Sequence, residues 1–242
     1  MLEVKNLSIK AQDKIIVDDI SFSLKRGIVT ALIGKSGVGK SLCATGIFGI
    51  FTNGTSGKIT LNFNNEPVKN PSKIISTIMQ NPRTAFSPIL SISSHAKSIL
   101  KANDMLDQNF NQLLKTELKN VGLKDEVADR YPFELSGGML QRAMIALALI
   151  TKPKFLIADE PTTDLDAITQ TEILSLLSKL VKQKNMGLLL ITHDFGVINA
   201  FADEILVLED TKIVEKADKN EIFTSPKSKS SRELLNAYEA LK

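Results

Sequence analysis

Ile28-Val29-Thr30-Ala31-Leu32-Ile33-Gly34-Lys35-Ser36-Gly37-Val38-Gly39-Lys40-Ser41 is the stretch on which the fold turns. A short apolar run stops at Gly34, a segment of the form G-x-x-x-x-G-K-[ST] follows, and a helical pattern begins directly after it. Glycines let the backbone curl so that successive N–H groups point at phosphate oxygens. The helix that follows aims its positive end at the same anion. Lys40 is placed to neutralise β- and γ-phosphates, and the Ser41 hydroxyl to take a Mg²⁺ position. By itself this strand–loop–helix run identifies a nucleoside triphosphate and no more. Cys43, just beyond it, reads as a small packed residue of the helix.

Working outward, residues 2–9 alternate as an amphipathic strand, and 14–17, 20–24 and 57–63 read as further strands. Residues 74–79 form an apolar run that ends at Gln80. Between 91 and 122 the pattern turns helical and polar, and 139–150 reads as a helix buried on most of its surface. A buried strand over 155–158, an amphipathic helix over 167–183 and a buried strand over 187–191 follow; 204–208 and 212–214 read as a hairpin. Buried strands that each feed a helix predict an α/β protein with a parallel sheet covered on both faces. Residues 83–150 read as a helical insertion into that sheet domain. Ligands of such sheets bind beyond the carboxyl ends of the strands.

The chain has 242 residues, 43% hydrophobic and 24% charged, which excludes a disordered, collagen-like or disulfide-scaffold protein. Its length suits one domain spanning 1–242. Net charge is +3, and no dense basic stripe for nucleic acid is present. Lys227, Lys229, Arg232 and Lys242 cluster in the tail over 225–242, which reads as a solvated end. A single cysteine cannot form an internal disulfide and suits a reducing cytosol. The longest apolar runs, 144–150 and 187–191, are shorter than the roughly 18 residues of a membrane span. Residues 1–10 show no signal segment, so the chain is expected in the cytoplasm.

Phe155-Leu156-Ile157-Ala158-Asp159-Glu160 puts two carboxylates where a buried strand emerges. Asp159 can hold Mg²⁺ opposite Ser41, and Glu160 can polarise the water that attacks the γ-phosphate. A lone acid pair would read as solvated; the phosphate loop upstream turns the reading to catalysis. His193 follows the next apolar strand and is expected beside the γ-phosphate. His95, without metal-ligand neighbours, reads as a surface residue. Leu135-Ser136-Gly137-Gly138-Met139 precedes a helix and offers a second anion site. Two such sites far apart in sequence suggest one nucleotide shared between two protomers paired head to tail.

Taken in order, these motifs resemble an ABC-type ATP-binding subunit over nearly the whole chain. The phosphate loop (Gly34 to Ser41), a Q-loop glutamine (Gln80), the signature (Leu135 to Met139), the acidic strand (Phe155 to Glu160), a D-loop (Asp164-Leu165-Asp166) and a switch histidine (His193) stand in the family's sequence. The resemblance implies a P-loop NTPase fold: a RecA-like parallel-sheet core, an N-terminal antiparallel β subdomain and an inserted helical subdomain. It implies that Gln80 touches Mg²⁺, together with Ser41 and Asp159, and reports nucleotide state to membrane subunits. Ser136, Gly137 and Gly138 would bind the partner protomer's γ-phosphate, and Asp166 would lie at the dimer seam.

Met79-Gln80-Asn81-Pro82-Arg83-Thr84-Ala85-Phe86-Ser87-Pro88 and Tyr131-Pro132-Phe133-Glu134 followed by the signature and Leu140-Gln141-Arg142 are similar to the peptide and nickel importer branch. The short tail with Ser225-Pro226 and Ser231-Arg232-Glu233-Leu234-Leu235 is similar too. The branch implies nickel as cargo, with dipeptides or oligopeptides as the alternative, and places selectivity in other subunits. It also implies ATP and Mg²⁺ as cofactors, and a second, related ATPase in a heterodimer, with a homodimer as the alternative. Two membrane-spanning permeases and an extracellular substrate-binding protein complete the expected assembly, at the cytoplasmic face of the cell membrane. Residues 81–98 would pass movement to the permeases.

Two departures stand out. The family's adenine-stacking aromatic would fall near Ala11, and no aromatic precedes Phe22. Its loss would remove about 1 kcal/mol and loosen base selectivity. Met139 replaces the commoner glutamine of the signature. Two rival classes fit less well. A soluble ABC protein acting on DNA or ribosomes would carry two cassettes or a long coiled-coil insertion. A GTPase would show N-K-x-D where this chain has Thr192-His193-Asp194, and a kinase leaves Ser136-Gly137-Gly138 unexplained.

Overall fold

Alternating burial along the first strands sets the architecture. The structure is a computed structural model and describes residues 1–12, 14–51 and 54–240; Lys242 lies outside the described residues. Contacts divide the chain into two compact units, Met1–Pro71 with Val181–Lys242, and Ser72–Leu180.

The first unit opens with β1 (Leu2–Ala11) and β2 (Lys14–Leu24), followed by β3 (Val29–Ile33), α1 (Lys40–Ile47), β4 (Thr55–Phe63) and β5 (Glu66–Pro67). β2, β1, β4 and β5 form an antiparallel sheet in that order. The two strands expected over 14–17 and 20–24 are one strand. The alternation breaks because Asp19 adopts a left-handed φ of 51° and Asn6, opposite it on β1, one of 54°. The pairing slips there, and Asn6 Nδ2 donates to Asp19 Oδ1 at 2.8 Å, so a paired bulge hides the continuity of β2. α1 packs on β1 through Gly46, where a Cβ would come within 2.8 Å of Ile9 Cδ1.

The second unit holds β6 (Ile75–Ile78), α2 (Pro82–Ala85), α3 (Ile92–Ala102), α4 (Phe110–Asn120), α5 (Gly137–Leu149), β7 (Phe155–Asp159) and the start of α6 (Ala167–Gln183). β6 and β7 pair in parallel. The helical stretch over 91–122 is broken after Ala102, where Asp104 turns left-handed at φ 56°. α5 is buried from Ala143 to Leu149, as its apolar run dictates. His95 is not a surface residue. Its Nδ1–H donates to Ser91 O at 2.9 Å, its Nε2 accepts from Ser87 N–H at 2.9 Å, and its ring meets Phe86 edge-on at 5.0 Å. It pins the start of α3.

The chain then returns to the first unit through β8 (Gly187–Ile191), α7 (Phe195–Phe201), β9 (Glu204–Glu209), β10 (Lys212–Asp218), α8 (Lys219–Thr224) and α9 (Lys229–Glu239). β9 and β8 flank β3 in parallel, and β10 adds antiparallel to β9. β3 and β8 are buried at every position. Each such Val, Leu or Ile contributes about 1.5–3 kcal/mol of burial. The tail is not a solvated end. Leu235 is buried in a cluster with Phe195, Ile198 and Ile222, and Leu234 and Tyr238 pack on it. Glu215, only 6% exposed, accepts from Lys227 N–H at 2.9 Å, Ser228 N–H at 2.8 Å and Ser231 Oγ–H at 2.5 Å. Burial, the largest single influence, pushes the Glu215 carboxyl up, but these hydrogen bonds together outweigh it and hold the carboxyl below the usual range. The basic side chains of Lys227, Lys229 and Arg232 still face water. No helix of the described residues is long and apolar enough to cross a membrane.

Candidate nucleotide site

β3 ends at Ile33, and the glycine-rich loop turns over its carboxyl end into α1. Close approach requires the glycines. A Cβ on Gly34 would lie 2.4 Å from Leu208 O, and one on Gly39 would lie 2.9 Å from Ile16 Cγ2. Gly37 and Gly39 also hold left-handed φ values of 78° and 106°. Gly39 caps α1 without a side chain, and the helix geometry points its first amides back towards the glycine-rich loop. Lys40 is 7% exposed, and its Nζ donates to Gly34 O at 2.9 Å and Lys35 O at 3.0 Å. Its charge is thereby held over the loop. Ser41 follows it on an exposed face, and Cys43 is buried as expected.

His193 stands at the same edge. β8 lies beside β3 in parallel, with Leu32 opposite Ile191, so the phosphate loop and the turn of His193 leave neighbouring strands together. That turn is fixed by Asp194, which accepts from Gly196 N–H at 2.7 Å and Val197 N–H at 3.2 Å. His193 itself is exposed.

In the second unit, register explains a contact that no motif announces. Ile78 of β6 pairs with Ala158 of β7. Gln80 and Glu160, each two residues further, therefore arrive side by side, and Gln80 Nε2 donates to Glu160 Oε2 at 2.8 Å. Thr163 Oγ1 donates to the same oxygen at 3.3 Å. Glu160, just past the end of β7, has a left-handed φ of 43°, a strain of order 1–3 kcal/mol. Asp159 closes β7 half-buried. Thr163 escaped the sequence reading, because a threonine after an acid pair carries no signal until the turn is seen.

The signature and D-loop adjoin in the same unit. Ser136 caps α5, its Oγ accepting from Met139 N–H at 3.4 Å. A Cβ on Gly137 would rest 3.5 Å from Leu165 Cδ2, and one on Gly138 only 2.9 Å from Thr169 Cγ2. Asp164 is left-handed at φ 65°. Asp166 begins α6, accepting Thr169 N–H at 3.0 Å and Thr169 Oγ1–H at 2.7 Å, and these bonds hold its carboxyl below the usual range. Leu135 precedes the cap and is buried. Thr169 is a second residue that the sequence reading missed.

Comparison with known proteins finds relatives along nearly the whole chain. A family model described as ABC transporter matches residues 17–163. The nickel import ATP-binding protein NikD of Pseudomonas putida is 40% identical over 100% of this chain and 96% of that protein. The protein of the same name from Brucella abortus is 38% identical over 96% of this chain and 91% of its own. Among solved structures, cbiO1 of Clostridium perfringens, described as part of the ABC transporter complex cbiONQ, superposes with a TM-score of 0.78. Its identity is 27%, over 93% of this chain and 90% of that one. A family match over more than half the residues, joined to full-length likeness, makes this chain a member of the ABC transporter family, as an ATP-binding and ATP-hydrolysing subunit.

Proposed function

We propose that this chain powers an ABC importer whose cargo is nickel. The observation that carries the proposal is the full-length likeness to nickel-import ATPases, which extends beyond the motifs shared by all ABC subunits. The donor set of Ser41 hydroxyl, Gln80 carboxamide and Asp159 carboxylate is all oxygen, the hard chemistry that Mg²⁺ takes. Held by such oxygen ligands, Mg²⁺ would supply charge neutralisation to the β- and γ-phosphate oxygens. With Nε2 given to Glu160, the Gln80 carboxamide offers its oxygen to a cation.

In the proposed cycle, Lys40, set over the loop by the carbonyls of Gly34 and Lys35, donates to phosphate oxygens. Ser136, Gly137 and Gly138 of a second ATPase close over the γ-phosphate from the other side, and Asp164, Leu165 and Asp166 line the seam. Glu160, oriented by Gln80 and Thr163, takes a proton from the water that attacks the γ-phosphorus, as the bond to the bridging oxygen breaks. His193 holds the γ-phosphate oxygens. ATP drives closure only through its higher affinity for the closed dimer, and hydrolysis removes that preference. The second ATPase is a related chain in a heterodimer. Two permeases and a substrate-binding protein complete the assembly, which keeps this chain at the inner face of the membrane.

Copurification of the tagged chain from detergent-solubilised native membranes tests this reading. Two multi-spanning subunits, a second ATPase and a nickel-loaded binding protein are expected. A binding protein loaded with peptide would replace nickel by peptide as the cargo. Recovery of ribosomal, DNA-bound or only cytosolic partners would overturn the importer.

A further inference from the structure

We propose that α9 straps the phosphate loop, with Glu233 and Lys35 as positioning residues that preset Lys40 for nucleotide; the inference rests on the ATP-binding reading above. Lys35 Nζ lies 3.0 Å from Glu233 Oε2. The backbone oxygen of the same Lys35 accepts from Lys40 Nζ at 3.0 Å. One residue is thus tied to α9 through its side chain and to the phosphate-binding lysine through its carbonyl. Lys229 Nζ, one turn earlier on α9, stands 3.7 Å from Glu233 Oε1 and steadies the carboxylate.

Exposed ion pairs are weak when two mobile side chains must both be ordered. Lys35 and Glu233 are 64% and 42% exposed, so the pair matters only because α9 itself is fixed. Ser228 caps the helix by accepting Ser231 N–H at 3.0 Å, and Glu215 clamps its start through Ser228 and Ser231. Leu235 is buried, and the Tyr238 ring lies 6.0 Å from that of Phe195. Mutual attraction raises the Lys35 pKa and lowers that of Glu233, which keeps both charged near neutrality. The same helix also reaches the turn of His193. Tyr238 Cε2 would lie 3.9 Å from a Cβ on Gly196, in the residues directly after His193. α9 therefore touches both elements that leave the carboxyl edge of β3 and β8.

A different role for Glu233 gives the opposite sign. If it only neutralised a cation near the phosphates, removing it would strengthen the attraction of the loop for ATP. The strap predicts weaker binding instead. The test is titration of the full chain with a fluorescent ATP analogue, with melting temperature as the folding control. Glu233→Gln and Lys35→Met each raise Kd about three- to five-fold, the range an exposed pair of up to 1 kcal/mol permits. The double variant is no weaker than the weaker single. The swap Lys35→Glu with Glu233→Lys binds more tightly than either half of it alone, and amide exchange over 34–40 quickens in Glu233→Gln. Unchanged or tighter binding in Glu233→Gln, additive losses in the double variant, or a swap no better than its halves would overturn the strap. A wild-type chain that bound no nucleotide would overturn the ATP-binding reading and the strap with it.

Discussion

Two glycine-bearing loops lead into helices in this chain, and they finish those helices in opposite ways. The loop before α1 ends in left-handed Gly39 and gives the helix no side-chain cap. The loop before α5 ends in Ser136, whose hydroxyl accepts an amide of the first turn. A glycine brings no side chain to the first amides of α1, so a phosphate, water or another acceptor can meet them. At α5 the Ser136 hydroxyl takes one first-turn amide, that of Met139, before any ligand arrives. In the proposed cycle the first loop takes its ligand on bare helix amides, whereas the second, backed by Leu165 and Thr169, presents a capped surface to a nucleotide held by the partner.

Gly39→Ala breaks the first loop hardest. The left-handed φ of 106° and the 2.9 Å approach to Ile16 force the loop to move. A strain of about 1–3 kcal/mol falls on the nucleotide site, and ATP affinity drops about tenfold or more by titration. Equal affinity in the variant would show that the loop does not need this backbone. Ser136→Ala sharpens the contrast, because it removes the cap of α5 and leaves the first loop intact. Loss of about 1 kcal/mol, seen as a melting point lower by about 2–4 °C, is expected with ATP binding by the isolated chain unchanged.

Smaller effects separate the two signature glycines. Gly138→Ala pushes a methyl against Thr169 Cγ2, whereas Gly137→Ala finds ordinary contact with Leu165. Calorimetry should place Gly138→Ala below Gly137→Ala by less than about 1 kcal/mol. Thr169→Ser, which deletes the methyl and keeps the hydroxyl on Asp166, should close that gap; a gap that persists would put the strain elsewhere. Asp166→Asn has the smallest effect. The native carboxyl is held below its ordinary pKa, so its stabilisation is present above the unfolded value and is lost as pH falls through the folded one. Wild type and variant should differ near neutrality and converge well below about pH 4.

Sequence patterns carried the elements whose burial is simple. α6 and β8 begin and end where periodicity places them, because one face, or both, is continuously apolar. β2 was read as two pieces, since a bulge at Asp19 shifts the alternation and only the partner bulge at Asn6 restores it. His95 looked like surface because its partners, Phe86 and two backbone groups, come from a turn that no pattern encodes. The tail looked solvated because its lysines dominate the composition, while Leu234, Leu235 and Tyr238 find their partners on α7 and α8. At the site, the motifs named Gln80 and Glu160 separately. Their bond depends on the register of two strands far apart in sequence, and only the paired strands reveal it.

In the proposed cycle ATP joins the phosphate loop of one ATPase to the Ser136-Gly137-Gly138 turn of the other, so association of the two should follow the nucleotide. The Glu160→Gln chain, mixed with the second ATPase recovered from the same membranes, is sedimented with ATP and with ADP. Association with ATP, absent with ADP and abolished by adding Ser136→Arg, is the predicted result. Association indifferent to nucleotide, or ATP-driven association that survives Ser136→Arg, would contradict the account.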